Sequence, residues 1–366
     1  MRELKLLCAA DLHLDSRFEA LPEETAKKRR EGQRTLLFKI AELAERHGAQ
    51  AILLSGDVFE SGAVSTDTQA AFIKAFGAVN MPVFVSPGNH DPYSSSSVWA
   101  RMHLPENIYV FKSEKIECVG LDDLNLRIWG AGFENSFCRP VLENFNKPRK
   151  TDGVFDVMVL HGDVCAGKSD YNPITRRQLE DSGMDYVALG HIHTRSGLER
   201  AGETIFAYPG CTEGRGYDET GVKGAYLVTV SEAGVKAELL PLGGVRYEII
   251  TVDVSGGDVL EAVKAATVEL SDNDYCRIIL KGECEELPDA TALRKALAGR
   301  FAELQLRDET VEKRDVWAQT GHDSLAGVFL AKLRREYDAA VSEEERRLVE
   351  LAAHYGLAAI ESGCEK

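Results

Sequence analysis

Residues 186–195 read YVALGHIHTR, an apolar run that ends in two histidines one residue apart. A lone histidine at a strand end is ordinarily a half-buried polar side chain with a satisfied hydrogen bond. Here the arrangement recurs. LKLLCAADLH ends in Asp11 and His13, AILLSGD in Asp57, and VFVSPGNHD in Asn89, His90 and Asp91; VMVLHGD carries His161, and the run from Tyr186 carries His191 and His193. The apolar runs alternate with amphipathic segments, the pattern of an α/β protein. Residues just past the carboxyl ends of neighbouring strands share one rim, where such folds bind ligands. The five clusters can therefore converge.

Working outward, residues 23–47 predict a long helix stopped by Gly48, and 67–78 a second helix. Short strands are expected over 107–130, at 203–208 and over 223–240, giving a layered sandwich of sheets flanked by helices. From 245 to 316 the order strand, helix, strand, helix, strand marks a small α+β unit entered through Gly243-Gly244, and from 322 onward the chain reads as helical. Within 323–339, Leu325, Val328, Phe329, Leu333 and Tyr337 make one apolar stripe. Ser342 and Glu345 have the spacing of a capping box, and Leu348, Leu351, Ala352 and Tyr355 form a second apolar face before Gly356, so the tail is expected to be a helical hairpin. The expected division is 1–240, 245–316 and 322–366.

The chain has 366 residues, 44% of them hydrophobic, more than one typical domain needs. It opens without a signal-peptide pattern, and no run approaches the roughly 18 apolar residues of a membrane helix. Eight cysteines without CxxC pairs fit reduced thiols, so a cytoplasmic protein with no membrane contact is expected. A net charge of −16 argues against a surface that attracts nucleic acid indiscriminately, although bound cations would offset some carboxylates.

Asp11, His13, Asp57, Asn89, His161, His191 and His193 offer carboxylate, amide and imidazole donors and no thiolate. Such a set suits Mn²⁺, Fe²⁺ or Zn²⁺ better than Ca²⁺ or Mg²⁺. It is too large for one tetrahedral ion and fits two ions roughly 3.5–4 Å apart that share a bridging carboxylate, for which Asp57 is the choice. In extended backbone, Asp11 and His13, like His191 and His193, would point the same way.

In this order DLH, GDVFE, GNHD, LHGD and GHIH resemble the motifs of calcineurin-like metallophosphoesterases. The resemblance implies a four-layer α/β/β/α sandwich with two divalent ions, of which Mn²⁺ is the first expectation. Asp11, His13, Asp57 and His193 would hold one ion, and Asp57, Asn89, His161 and His191 the other. The ions would activate a hydroxide for in-line attack on phosphorus, His90 would stabilise the charge or protonate the leaving oxygen, and Asp91 would orient His90.

More loosely, YPGCTEGRGYDETGVKGAYLVTV and LHGDVCAGKSDYNPIT resemble SbcD-type DNA repair nucleases and, more closely, the YhaO-like group. That likeness implies a capping role for the α+β unit and contacts from Lys168, Tyr171 and Arg176 to a phosphate backbone or base. It also implies docking of the C-terminal helices, residues 322–360, on the coiled coil of an SMC-like ATPase; a homodimer stays open. In one departure, Glu60 stands where SbcD-type nucleases usually carry His, and a carboxylate there would repel an anionic backbone. The expected function is a metal-dependent phosphodiesterase, a DNA exo- or endonuclease subunit in DNA repair. A small-nucleotide phosphodiesterase or phosphatase is the alternative that the acidic charge favours, and the intact donor set argues against an inactive scaffold.

Overall fold

The computed structural model describes residues 2–60, 64–145, 149–313 and 315–363; Cys364 lies outside them. Its contacts divide the chain into two compact units. The first comprises Met1–Ile249, Ser271–Arg277 and Phe301–Glu303, and the second Ile250–Leu270, Ile278–Arg300 and Leu304–Lys366.

The first unit begins with β1 (Glu3–Ala9), α1 (Glu23–Arg46), β2 (Ala51–Leu54), α2 (Thr66–Gly77), β3 (Val83–Val85), α3 (Val98–Arg101) and β4 (Ile108–Val110). It continues with β5 (Glu117–Leu121), β6 (Leu126–Gly130), β7 (Phe155–His161), β8 (Asp163–Val164), β9 (Pro173–Ile174), α4 (Arg176–Ser182) and β10 (Tyr186–Gly190). Then come β11 (Glu199–Ala201), β12 (Thr204–Ala207), β13 (Gly224–Ser231) and β14 (Gly234–Pro241). Two six-stranded sheets result, in the orders β14-β13-β1-β2-β3-β4 and β11-β12-β10-β7-β6-β5.

Side-chain alternation explains the layering. In β1, Leu4, Leu6 and Cys8 enter a core shared with Ile128, Val157, Val159 and Tyr186 of the other sheet, while Leu7 and Ala9 face Leu37 and Ile40 of α1 and Phe72 and Phe76 of α2. On the second sheet, Met158, Leu160, Val187 and Leu189 turn outward to pack with Leu179 of α4. Both faces of the central strands are buried, which is why they read as continuous apolar runs. The order is helix, sheet, sheet, helix. β1–β4 of the first sheet are mutually parallel, as are β6, β7, β10 and β12 of the second, so their carboxyl ends carry the donor clusters to common rims.

The remaining elements are β15 (Tyr247–Asp253), α5 (Val259–Ala266), β16 (Tyr275–Cys284), α6 (Ala290–Ala296), β17 (Glu303–Glu312), α7 (Leu325–Ala339) and α8 (Glu343–Gly363). β15, β16 and β17 form a three-stranded sheet in that order. The tail is a helical hairpin. Ser342 Oγ accepts from the Glu345 N–H at 3.1 Å while Glu345 Oε2 accepts from the Ser342 N–H at 3.3 Å, completing the capping box. Its buried centre differs from the expected stripe: Val316, Leu330 and Ala353 are buried, Phe329 and Leu333 pack on them, and Leu325 and Val328 face outward. An amphipathic period fixes a stripe's spacing, but Leu325 and Leu330 both fit an apolar flank, and packing against α8 chose between them. Among the described residues no helix is long and apolar enough to cross a membrane.

Candidate metal centre

Hydrogen bonds between loops assemble the rim. The Asp11 N–H donates to Gly56 O at 3.0 Å, the His13 N–H to Asp57 O at 2.9 Å, and the Leu14 N–H to Val58 O at 2.9 Å, so the loops after β1 and β2 are zipped together. A Cβ on Gly88 would overlap the Asp57 carboxylate, so the third loop reaches the second only because residue 88 is glycine.

Four of the seven donors do not lie on extended backbone, whereas His161 ends β7. Asp11 (φ 52°), His13 (φ 44°), Asp57 (φ 48°) and His191 (φ 103°) all have positive φ, half of the eight such non-glycine residues among those described. This corrects the alternating-strand reading of Asp11-Leu12-His13 and His191-Ile192-His193. The strands stop at Ala9 and Gly190, and the side chains are aimed by left-handed turns that other loops hold in place. Each such conformation costs about 1–3 kcal/mol, and such strain gathers at functional sites.

Three groups of donor atoms each lie within 4.8 Å of one another: Asp11, His13 and His193; Asp11, Asp57 and His161; and His13, Asp57 and His90. The Asp11 carboxylate also accepts from the His191 N–H at 3.0 and 3.2 Å. Asn89 Oδ1 lies 3.0 Å from His161 Nε2, with Asp57 Oδ2 at 3.4 Å from the same nitrogen. The structure thus brings all seven predicted donors to one rim.

The geometry at the histidines fits a cation. His161 Nδ1 is 2.9 Å from Ser55 O and His193 Nδ1 is 2.7 Å from Glu219 Oε1; His13 Nδ1 lies 3.2 Å from Glu60 Oε2 without a hydrogen bond among the described residues. An Nδ1–H given to oxygen leaves Nε2 with its lone pair, and oriented imidazole ligands use this pattern. Those Nε2 atoms then face other acceptors: His13 Nε2 and His193 Nε2 are 3.1 Å apart, and His161 Nε2 faces the Asn89 and Asp57 oxygens. Burial also holds His13 below the usual histidine range and His191 down to about 4, keeping both neutral. Asp11 and Asp57 are buried, and among the described residues their ion-pair partners are histidines. Buried carboxylates without a lysine or arginine partner are costly unless a cation joins them.

His90 lies beside this cluster. Its N–H donates to Asp57 Oδ1 at 2.9 Å, and its Nδ1 meets Glu60 Oε1 at 2.5 Å. The hydrogen bond to Glu60 raises His90 above its ordinary value. Asp91 was expected to orient His90, but its carboxylate instead accepts the N–H groups of Gly88 (2.7 Å), Val58 (2.9 Å) and Phe59 (3.2 Å). Burial, with Asp57 nearby, pushes it up to about 7. Asp91 therefore binds two loops together, because its short side chain turns back to the backbone donors of Gly88, Val58 and Phe59.

Of the expected substrate contacts, Tyr171 stands over His191 with ring centroids 4.9 Å apart and is 38% exposed. It is held by a backbone bridge to Cys138. Lys168 is exposed. Arg176 is committed elsewhere, donating to Glu199 Oε2 and Arg200 O, each at 2.7 Å, because it opens α4 next to β11.

Glu219 and Arg215 went unassigned in the sequence, although they lie in the quoted YPGCTEGRGYDETG stretch. A carboxylate 26 residues after a histidine has no local signature; only the fold brings Glu219 to His193 Nδ1. Changing Glu219 to Gln is expected to weaken Mn²⁺ binding by about 10–100-fold in a calorimetric titration. Unchanged affinity would make Glu219 a bystander.

A family model described as calcineurin-like phosphoesterase matches residues 4–195. The chain is similar to the uncharacterized metallophosphoesterase YhaO of Bacillus subtilis, 31% identical over 338 residues, covering 87% of this chain and 81% of that protein. It is also similar to two proteins named DNA double-strand break repair protein Mre11. That of Saccharolobus solfataricus is 24% identical over 244 residues, covering 63% of this chain and 61% of the relative. That of Methanopyrus kandleri is 23% identical over 366 residues, covering 93% and 78%.

Proposed function

The chain belongs to the calcineurin-like phosphoesterase family, and from that premise we propose that it is a metal-dependent phosphodiesterase acting on DNA, a nuclease subunit in DNA repair. Asp11, His13, Asp57 and His193 would hold one divalent ion, and Asp57, Asn89, His161 and His191 the second, with Asp57 shared. When bound, such ions, for which Mn²⁺ is our choice, offset phosphoryl charge and acidify water. His90, its Nδ1 fixed by Glu60, would stabilise the charge on phosphorus or protonate the leaving oxygen.

The observation that carries the choice of DNA is the exposed Tyr171 ring over His191. An aromatic platform beside the metal donors can stack an unpaired base of any identity. The relatives named for double-strand break repair support the same reading, one of them along 93% of the chain. Lys168 would meet the backbone phosphate, whereas Arg176 drops out of the contact set because Glu199 holds it.

We further assign 1–240 to catalysis, 245–316 to a cap-like role and 322–366 to partner binding, the partner being an SMC-like coiled-coil ATPase. The net charge of −16 favours the second reading, a small-nucleotide phosphodiesterase. One experiment separates them: purified chain with Mn²⁺, offered end-labelled single- and double-stranded DNA and a panel of small phosphodiesters. Mn²⁺-dependent DNA cleavage is expected. Turnover confined to the small esters would establish the second reading, and none on any substrate would reject both.

A further inference from the structure

Glu60 and Glu219 grip two histidines on different loops, and one guanidinium touches both carboxylates. Arg215 Nη1 lies 3.3 Å from Glu60 Oε2, while Arg215 Nη2 lies 2.8 Å from Glu219 Oε1 and 3.1 Å from His193 Nδ1. The Arg215 N–H also donates to Glu219 Oε2 at 2.8 Å, so Arg215 and Glu219 clip their own loop shut. We propose that Arg215 is a positioning residue that holds Glu60 against His90 with one nitrogen and Glu219 against His193 with the other, locking the candidate catalytic histidine to the opposite wall of the metal site. The proposal rests on reading this rim as the catalytic centre.

Three observations support it. The Arg215 side chain is only 20% exposed, so its position is set by packing and its hydrogen bonds act with little competition from water. Glu60 divides its oxygens, Oε1 to His90 and Oε2 to His13 and Arg215, so moving the arginine moves the group that fixes His90. The geometry also demands arginine: a planar fork satisfies two carboxylates at once, which a lysine ammonium does not do with the same fixed geometry. Arg215 further bears on the doubt raised by Glu60, because its guanidinium offsets part of that carboxylate's charge towards a phosphate.

The test pairs kinetics with a readout that needs neither metal nor turnover. With Mn²⁺ and bis(p-nitrophenyl) phosphate, Arg215→Met is expected to lower kcat by about 10–100-fold with KM little changed. Arg215→Lys should not restore it. The double variant Glu60→Gln/Arg215→Met should be no slower than the worse single variant, because both changes act through one group. In ¹⁵N–¹H spectra of the metal-free full chain, the His90 ring Nδ1–H signal should shift or broaden in Arg215→Met, while that of His161, held by Ser55, stays in place and reports an intact fold. If the Met variant does not fold, Arg215→Lys carries the same spectrum. A raised KM with kcat retained, or rescue by Lys, would make Arg215 a phosphate contact. Multiplying effects or an unmoved His90 signal would reduce it to a loop brace, and either result overturns the proposal. Should the wild type hydrolyse no phosphodiester, the functional reading falls while the spectra still decide this one.

Discussion

Changing His90 to Ala or Asn is expected to lower phosphodiester turnover by about 10²–10⁴-fold, the usual loss when a positioned acid or base is removed. Both metal ions should stay bound. The expectation combines two facts. His90 is anchored at both ends, its N–H on Asp57 and its Nδ1 on Glu60, so its ring is placed before any substrate arrives. The seven other donors reach the rim without it, and the two four-residue ligand sets proposed for the ions omit it. His90 nevertheless lies within 4.8 Å of the His13 and Asp57 donor atoms, so a ligand role is the serious competitor. Metal analysis of the purified variant decides between them. Two ions per chain with turnover lost places His90 in the chemistry, and loss of an ion makes it a ligand.

Much of this was legible in the sequence. The central strands are buried on both faces, so they appear as the apolar runs LKLLCAA, AILL and YVALG, and the predicted helices over 23–47 and 67–78 correspond to Glu23–Arg46 and Thr66–Gly77. The donors followed because parallel strands deliver their carboxyl ends to one side. What stayed hidden was nonlocal. The positive φ of Asp11 and His13 accompanies backbone bonds to the loop of Asp57, and although Asp and His tolerate such φ better than most residues, the sequence DLH does not show those partners. Glu60 read as a defect against the related motif, yet in the fold it meets His90, His13 and Arg215. Glu60 takes the place beside His90 that was expected of Asp91 for a plain reason of reach: the longer side chain spans the gap to the imidazole, and the shorter one finds backbone N–H groups three residues away and across the loop.

Placing Asp at both Leu348 and Leu351 is expected to abolish capture of the coiled-coil ATPase proposed as partner, lowering affinity by at least about 30-fold, the effect of losing roughly 2 kcal/mol at an interface centre. The argument starts from what the hairpin leaves uncovered. Leu325, Val328, Leu348, Leu351 and Tyr355 are between 51% and 73% exposed, while the hairpin's own core is closed by Val316, Leu330 and Ala353. Leu348, Leu351 and Tyr355 follow a helical i, i+3, i+7 spacing, so they form one face of α8, and such a face suits a groove between the helices of a coiled coil. Surface charges are the right perturbation here. A chain cut near residue 318 would strip α7 and α8 from Val316 and Trp317 and expose the core they share, confounding lost binding with lost folding. The double variant should therefore melt cooperatively near the wild-type temperature while failing to co-purify with the ATPase. Retained co-purification would show that this face is not the docking surface. A wild-type dimer that the variant dissolves into monomers in sedimentation would assign the face to a second copy of this chain instead.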